Sequence, residues 1–234
     1  MVDIQWPRVL TEEQLLQLDR YRSLLVDWNE RMNLTAITEE EEVYVKHFYD
    51  SLAVLTVSQW QEVAKTGTRV IDVGTGAGFP GIPLAIVESN MEFVLCDALQ
   101  KRITFLQAVK DELGLQNVTF VHARSEDLAR NPAYRGQFDI VVSRAVARLN
   151  ILMELMCPFL RPGGRGFSYK GPGFDDERKD GERAAAKLRA KLMDAHTYLL
   201  PKSMGSRTIV VFEQSAPVPE TYPRKAGVPQ RKPL

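Results

Sequence analysis

Val70-Ile71-Asp72-Val73-Gly74-Thr75-Gly76-Ala77-Gly78-Phe79-Pro80-Gly81 is the stretch around which the rest of the chain can be ordered. A β-branched run carries an acid near its end, a glycine-rich turn follows, and Ile82–Val87 resumes with apolar residues. That succession predicts a buried strand, a tight turn and a helix. Glycine supplies backbone angles that other residues avoid and lets a ligand approach the main chain closely. Gly76, Gly78 and Gly81 also satisfy G-x-G-x-x-G, so a dinucleotide-binding turn is one reading of the same residues.

Downstream, short apolar runs alternate with helical spacing. Strands are predicted at Arg69–Val73, Glu92–Asp97, Val118–His122, Phe138–Ser143, Gly166–Lys170 and Thr208–Glu213. Ile103, Leu106, Val109 and Leu113 mark a helix over Lys101–Leu113, and another is expected from about Asp175 to Ala195. Such alternation gives an α/β fold, a mostly parallel, doubly wound sheet covered on both faces. His196–Leu200 lies a short connection before the last strand, which predicts a late antiparallel strand. Upstream, Thr11 with Gln14 and Thr38 with Glu41 have capping-box spacing ahead of helical apolar runs. The expected organisation is an N-terminal helical extension over 1–66, the α/β domain over 67–215, and a proline-rich tail over 216–234.

Thirty basic and thirty acidic residues cancel, so net charge gives no pointer to a nucleic-acid partner. Positive charge gathers in the tail, where Arg224, Lys225, Arg231 and Lys232 face one acid, Glu220. Cys96 and Cys157 sit among apolar residues and read as buried free thiols of a reducing compartment. The N-terminus lacks a basic-then-apolar leader pattern, and no apolar run has the length of a membrane span. A soluble, cytoplasmic protein is expected, and nothing demands more than a monomer.

Asp72, two residues before the first glycine, separates the cofactor readings. A pyrophosphate in the turn meets that carboxylate as repulsion, whereas a ligand carrying an ammonium and a sulfonium is attracted. S-adenosylmethionine has both cations and no phosphate. The order Asp72-x-Gly74-x-Gly76-x-Gly78 resembles the first motif of Rossmann-like methyltransferases. Asp97, closing the second strand, is placed to accept hydrogen bonds from ribose hydroxyls, and Ser125-Glu126 lies where such enzymes hold adenine.

Several other motifs are set aside. Asn131-Pro132-Ala133-Tyr134 precedes the fourth strand, whereas amino-group methyltransferases carry a similar loop after it, so it reads as a turn. Cys157-Pro158 inverts the order a thiolate nucleophile requires, and His47, Asp50 and Ser51 share one helix with no nucleophile elbow. The histidines and cysteines show no metal-ligand spacing, so no metal is expected. After the fourth strand comes Ser143-Arg144-Ala145-Val146, with no base or nucleophile. An acceptor atom there must already be nucleophilic, as guanine N7 is, and Arg144 would position it through O6 or a phosphate. On spacing alone, a surface salt bridge for Arg144 is an equal reading.

The motifs Asn33–Ile37, His47–Leu52, the Asp72–Gly81 turn, Lys101-Arg102, Ser143–Val146, Tyr169-Lys170-Gly171 and Tyr222–Gly227 occur in an order that resembles the bacterial small-subunit rRNA guanine-N7 methyltransferases, also known as the glucose-inhibited division protein B family. The resemblance spans nearly the whole chain. Ser125, often alanine, and the polar Arg165 and Ser168 in a strand depart from it. It implies a class I methyltransferase fold and methylation of one 16S rRNA guanine near the decoding region, on naked rRNA or in the small ribosomal subunit. It implies cofactor contacts at Gly74, Phe79, Asp97, Ala98, Leu99, Ser125, Glu126 and Arg144, beside Asp72, Gly76 and Gly78 of the turn. Lys170, Arg224 and Lys225, with Arg231 and Lys232 of the basic tail, become candidate RNA contacts. A nicotinamide-dependent oxidoreductase and a non-catalytic RNA-binding factor are the alternatives.

Overall fold

The computed structural model describes residue 2 and residues 4–144 and 147–234. Helix α1 (Glu12–Met32) opens on the predicted capping box: the Thr11 hydroxyl accepts from the Gln14 amide, and the Gln14 side chain accepts from the Thr11 amide. Next come α2 (Glu40–Val43), a π-helical stretch (Tyr44–Tyr49), α3 (Asp50–Leu52) and α4 (Ser58–Val63). The second predicted box does not form. Glu39 caps α2 instead, its carboxylate accepting from the Glu42 amide at 2.9 Å, where a negative charge also suits the helix dipole.

Strand β1 (Arg69–Val73) leads through the glycine turn to α5 (Gly81–Val87), then β2 (Glu92–Asp97), α6 (Gln100–Leu113), β3 (Val118–His122), α7 (Ser125–Leu128) and β4 (Phe138–Arg144). The chain continues through α8 (Leu149–Met156), β5 (Leu160–Lys170), α9 (Asp175–Lys187), β6 (Ala190–Leu199), β7 (Ser206–Gln214) and a short α10 (Val228–Arg231). The strands form one sheet in the order β3-β2-β1-β4-β5-β7-β6. Neighbours are parallel through β5, and β7 pairs antiparallel with both β5 and β6, so the predicted late antiparallel strand is present.

Helix α9 is shorter than its sequence suggests. Arg189 takes a left-handed φ of 60°, and the Gln214 amide donates to the carbonyls of Leu188 and Arg189, capturing the end of the helix. Residues 190–199 then pair with β7 as an edge strand. Arg165, unexpected in β5, is held by Glu62 at 2.6 Å and Glu213 at 3.3 Å. Asn131–Tyr134 is a turn before β4, as its position in the chain implies. Ala145 and Val146 of the motif after β4 lie outside the described residues.

One face of the sheet is covered by α5 and α6 together with the N-terminal helices. Leu18, Tyr21, Phe48 and Trp60 share a core with Ile82 and Phe105. The opposite face buries Leu152, Met153, Phe159 and Leu188. The N-terminal helices therefore have no separate core. Strand order reverses between β1 and β4, with β2 on one side and β5 on the other, which opens a crevice at the carboxyl ends of these strands.

Candidate functional site

A cavity of about 440 Å³ lies in that crevice. Its floor is the turn after β1, where Gly74 and Gly76 adopt φ of 72° and 63°. The amides of Gly74 and Thr75 donate to the Cys96 carbonyl at 3.0 and 3.1 Å, fixing the turn to β2. A Cβ on Gly76 would meet nothing within 4 Å, so the turn faces open space. Asp97, buried at the end of β2, accepts from the amides of Gly76 (3.0 Å) and Leu99 (2.9 Å) and from the Arg102 guanidinium (3.0 Å). Leu99 stands at the cavity wall 45% exposed, an apolar side chain offered to a ligand.

Two expected contacts act from behind the wall. Asp72 is fully buried; one oxygen accepts from the Thr75 hydroxyl (2.7 Å) and the Gly81 amide (2.9 Å), and the other has no hydrogen-bond partner. Burial pushes its carboxyl up to about 7, against those two bonds and the nearby Arg144. Gly78 is needed for packing, because a Cβ there would come within 2.5 Å of the Tyr21 hydroxyl, which itself donates to the Ala77 carbonyl. Ser125 and Glu126 also lie away from the cavity wall. The Ser125 hydroxyl donates to the Leu155 carbonyl at 2.8 Å, and Glu126 accepts from the Gly227 amide at 2.9 Å.

Arg144, at the end of β4, joins the sheet to the N-terminal helices. Its guanidinium donates to the Lys46 carbonyl (2.9 Å), to Asp50 (3.0 Å) and to Nδ1 of His47 (3.1 Å), and it lies 4.9 Å from the Phe79 ring centre. Lys46 and His47 belong to the π-helical stretch, a local widening often found at functional sites. His47 stacks on Phe79 at 4.3 Å, and its Nε2 meets the Thr35 hydroxyl at 2.9 Å. Burial, then the Arg144 charge, lower its pKa to about 3, so Nδ1 is an acceptor and Nε2–H a donor. Asp50 also accepts from the Tyr198 hydroxyl of β6 at 2.6 Å. Ser51 is spent on the His47 carbonyl, which removes any hydrolytic triad. Arg144 lines a second cavity too, of about 350 Å³, on the side of Tyr169 and Lys170.

Sequence reasoning missed Leu34, Thr35, His47 and Arg102 as cavity walls, although all four stood in motifs already singled out and Arg102 sits five residues past Asp97. Among the described residues no group of three His, Cys, Asp or Glu is arranged to hold a metal. Both cysteines are free and buried, and burial pushes their thiols up.

The candidate RNA contacts separate into two kinds. Arg224 grips the fully buried Glu154, with Nε at 2.9 Å and its own amide at 2.7 Å from one carboxylate oxygen. That pairing ties Arg224 into the fold, since an unpaired Glu154 in the core would be costly. Arg130 and Arg135 bind the tail carbonyls of Pro223 and Tyr222, so this stretch is docked. Lys170 is 9% exposed and paired with Glu177 at 2.8 Å. Lys225, Arg231 and Lys232 are all exposed.

The family model described as rRNA small subunit methyltransferase G matches residues 14–204. Two relatives from Streptococcus pyogenes, each named Ribosomal RNA small subunit methyltransferase G, are 46% identical over 225 residues (96% of this chain, 93% of the relative) and 45% identical over 226 residues (97% and 94%). Among solved structures, the fold is similar to a variant of the 16S rRNA (adenine(1408)-N(1))-methyltransferase from Catenulisporales acidiphilia, with TM-score 0.54 and 16% identity over 69% of this chain and 92% of that one. It is also similar to M. jannaschii TYW2 in complex with AdoMet, with TM-score 0.52 and 20% identity over 68% and 75% of the two chains.

Proposed function

The chain belongs to the rRNA small subunit methyltransferase G family, and from that premise we propose that it transfers a methyl group from S-adenosylmethionine to N7 of a guanine in 16S rRNA, near the decoding region. The observation that carries this reading is Arg144, held by three partners in the wall between two cavities, one suited to the cofactor and one beside it.

The residues of the first cavity fit S-adenosylmethionine. Asp97 offers a carboxylate to a ribose, the Leu99 side chain offers apolar surface to adenine, and the glycine turn admits close approach. The buried, half-partnered Asp72 behind the turn favours a cation over a pyrophosphate. When bound, the cofactor supplies a methyl group made electrophilic by its sulfonium, so the acceptor needs only a lone pair.

The protein's task is therefore orientation. Guanine N7 carries no proton, so no general base is required, and His47 does not offer one: it donates from Nε2 to Thr35, and its Nδ1 is occupied by Arg144. Arg144 donates to guanine O6 and leaves the in-plane N7 lone pair free for attack. Its charge is balanced by Asp50, so it serves as a fixed donor and places no uncompensated cation beside a base that becomes positive.

The acceptor lone pair calls for no Lewis acid, so the reading needs no metal, and we place the reaction in the cytoplasm, where rRNA is made, with the monomer as the acting unit. A transcript carrying 7-deazaguanine in place of guanine tests the acceptor atom. The ordinary 16S transcript should accept label and the 7-deaza transcript should not; equal labelling would overturn the N7 assignment.

A further inference from the structure

The second cavity has a wall of mixed chemistry. Ile37 and Pro172 are apolar, Asp50 is an acceptor, and Arg144, Lys46, Lys170 and Arg207 bring positive charge. Three of these cations are already committed to carboxylates: Arg144 to Asp50 at 3.0 Å, Lys170 to Glu177 at 2.8 Å, and Lys46 to Glu42. Arg207 has no carboxylate partner among the described residues; its one bonded nitrogen donates to the neighbouring Ser206 carbonyl at 2.8 Å. It sits at the start of β7 directly opposite Tyr198, the residue that secures Asp50. An uncommitted guanidinium at the rim of a cavity, one wall away from the methyl donor's site, is a place for a phosphate.

We propose that the second cavity receives the acceptor nucleotide, turned out of the RNA, with its base edge at Arg144 and its phosphate at Arg207. This rests on the methyl-transfer reading above and adds the site where the RNA is read. An RNA base held in a helix stack cannot present N7 to a recessed methyl group, so extrusion into a pocket is required. The donors of Arg144 select for guanine, because O6 accepts a hydrogen bond where adenine presents an amino group. Ile37 and Pro172 supply apolar surface for the base faces.

Two variants test it. Arg207→Ala should raise KM for 16S rRNA about tenfold with kcat largely kept, and flatten the dependence of log KM on log salt by about one. Its affinity for S-adenosylmethionine and its melting temperature should not change. Gly171 lines the cavity, and a Cβ there would meet nothing within 4 Å, so Gly171→Trp can fill the space without a clash. That variant should bind S-adenosylmethionine normally and methylate no RNA. Calorimetry with guanosine 5′-monophosphate reads the cavity without the reaction: wild type should bind it, and Gly171→Trp should not. Wild-type KM and salt dependence in Arg207→Ala, or guanosine 5′-monophosphate binding unaffected by Gly171→Trp, would overturn the proposal. Failure of the wild type to methylate any RNA while the nucleotide binding pattern holds would fault the reaction and leave the cavity standing.

Discussion

Arg144 donates to His47 a hydrogen bond that exists only while Nδ1 is unprotonated, and acid should break it. The folded pKa of His47 is about 3 against an ordinary 6.5, so its contribution to stability is complete above pH 6.5 and is lost as pH falls toward 3. Urea titrations of wild type and His47→Gln should diverge in that window, wild type losing up to about 1.4 kcal/mol per pH unit more than the variant. Parallel pH profiles would refute the neutral His47. Arg144 itself is both functional and structural. Arg144→Lys keeps a charge but loses the fork that reaches three partners at once, and kcat should fall by about 10²-fold or more. Arg144→Ala also strands the buried Asp50, so it should lose about 3 kcal/mol of stability in addition to activity. Turnover of Arg144→Lys within a few-fold of wild type would remove the positioning assignment.

At the level of elements, the sequence was most legible where period and punctuation agreed. The β1–turn–α5 unit, the β2 to β4 strands and the α1 capping box stand where spacing put them. Strand β6 was legible only in its second half, from His196, because its first half follows a charged helix whose end is set by Gln214, 26 positions beyond the Leu188 it caps. The structural role of one tail residue was equally hidden. The basic residues read in sequence as candidate RNA contacts, and only the fold brings the fully buried Glu154 of α8 to Arg224. Arg224→Ala should therefore cost about 3 kcal/mol in chemical denaturation and leave the salt dependence of RNA binding unchanged. A variant that folds as stably as wild type but binds RNA more weakly would restore the tail arginine as an RNA contact.

Across the whole molecule, the candidate site is assembled from both ends of the chain onto the sheet. The turn after β1 and Asp97 are local and were read from sequence. The Arg144 network was only half visible, since its partners come from residues 46–50 and 198, and no spacing rule links them to β4. The shared core has a consequence for dissection. A fragment of residues 67–215 leaves the faces of Ile82, Phe105 and Leu106 uncovered, and it should be unfolded or aggregated by circular dichroism and limited proteolysis. A well-folded fragment would show that the N-terminal helices are an appendage after all.

The central claim is the reaction. Wild-type protein, labelled S-adenosylmethionine and small ribosomal subunits or 16S rRNA lacking the modification should yield label at one position, identified by mass mapping as 7-methylguanosine. Label on another atom or another base, or none despite demonstrated cofactor binding, would contradict the account.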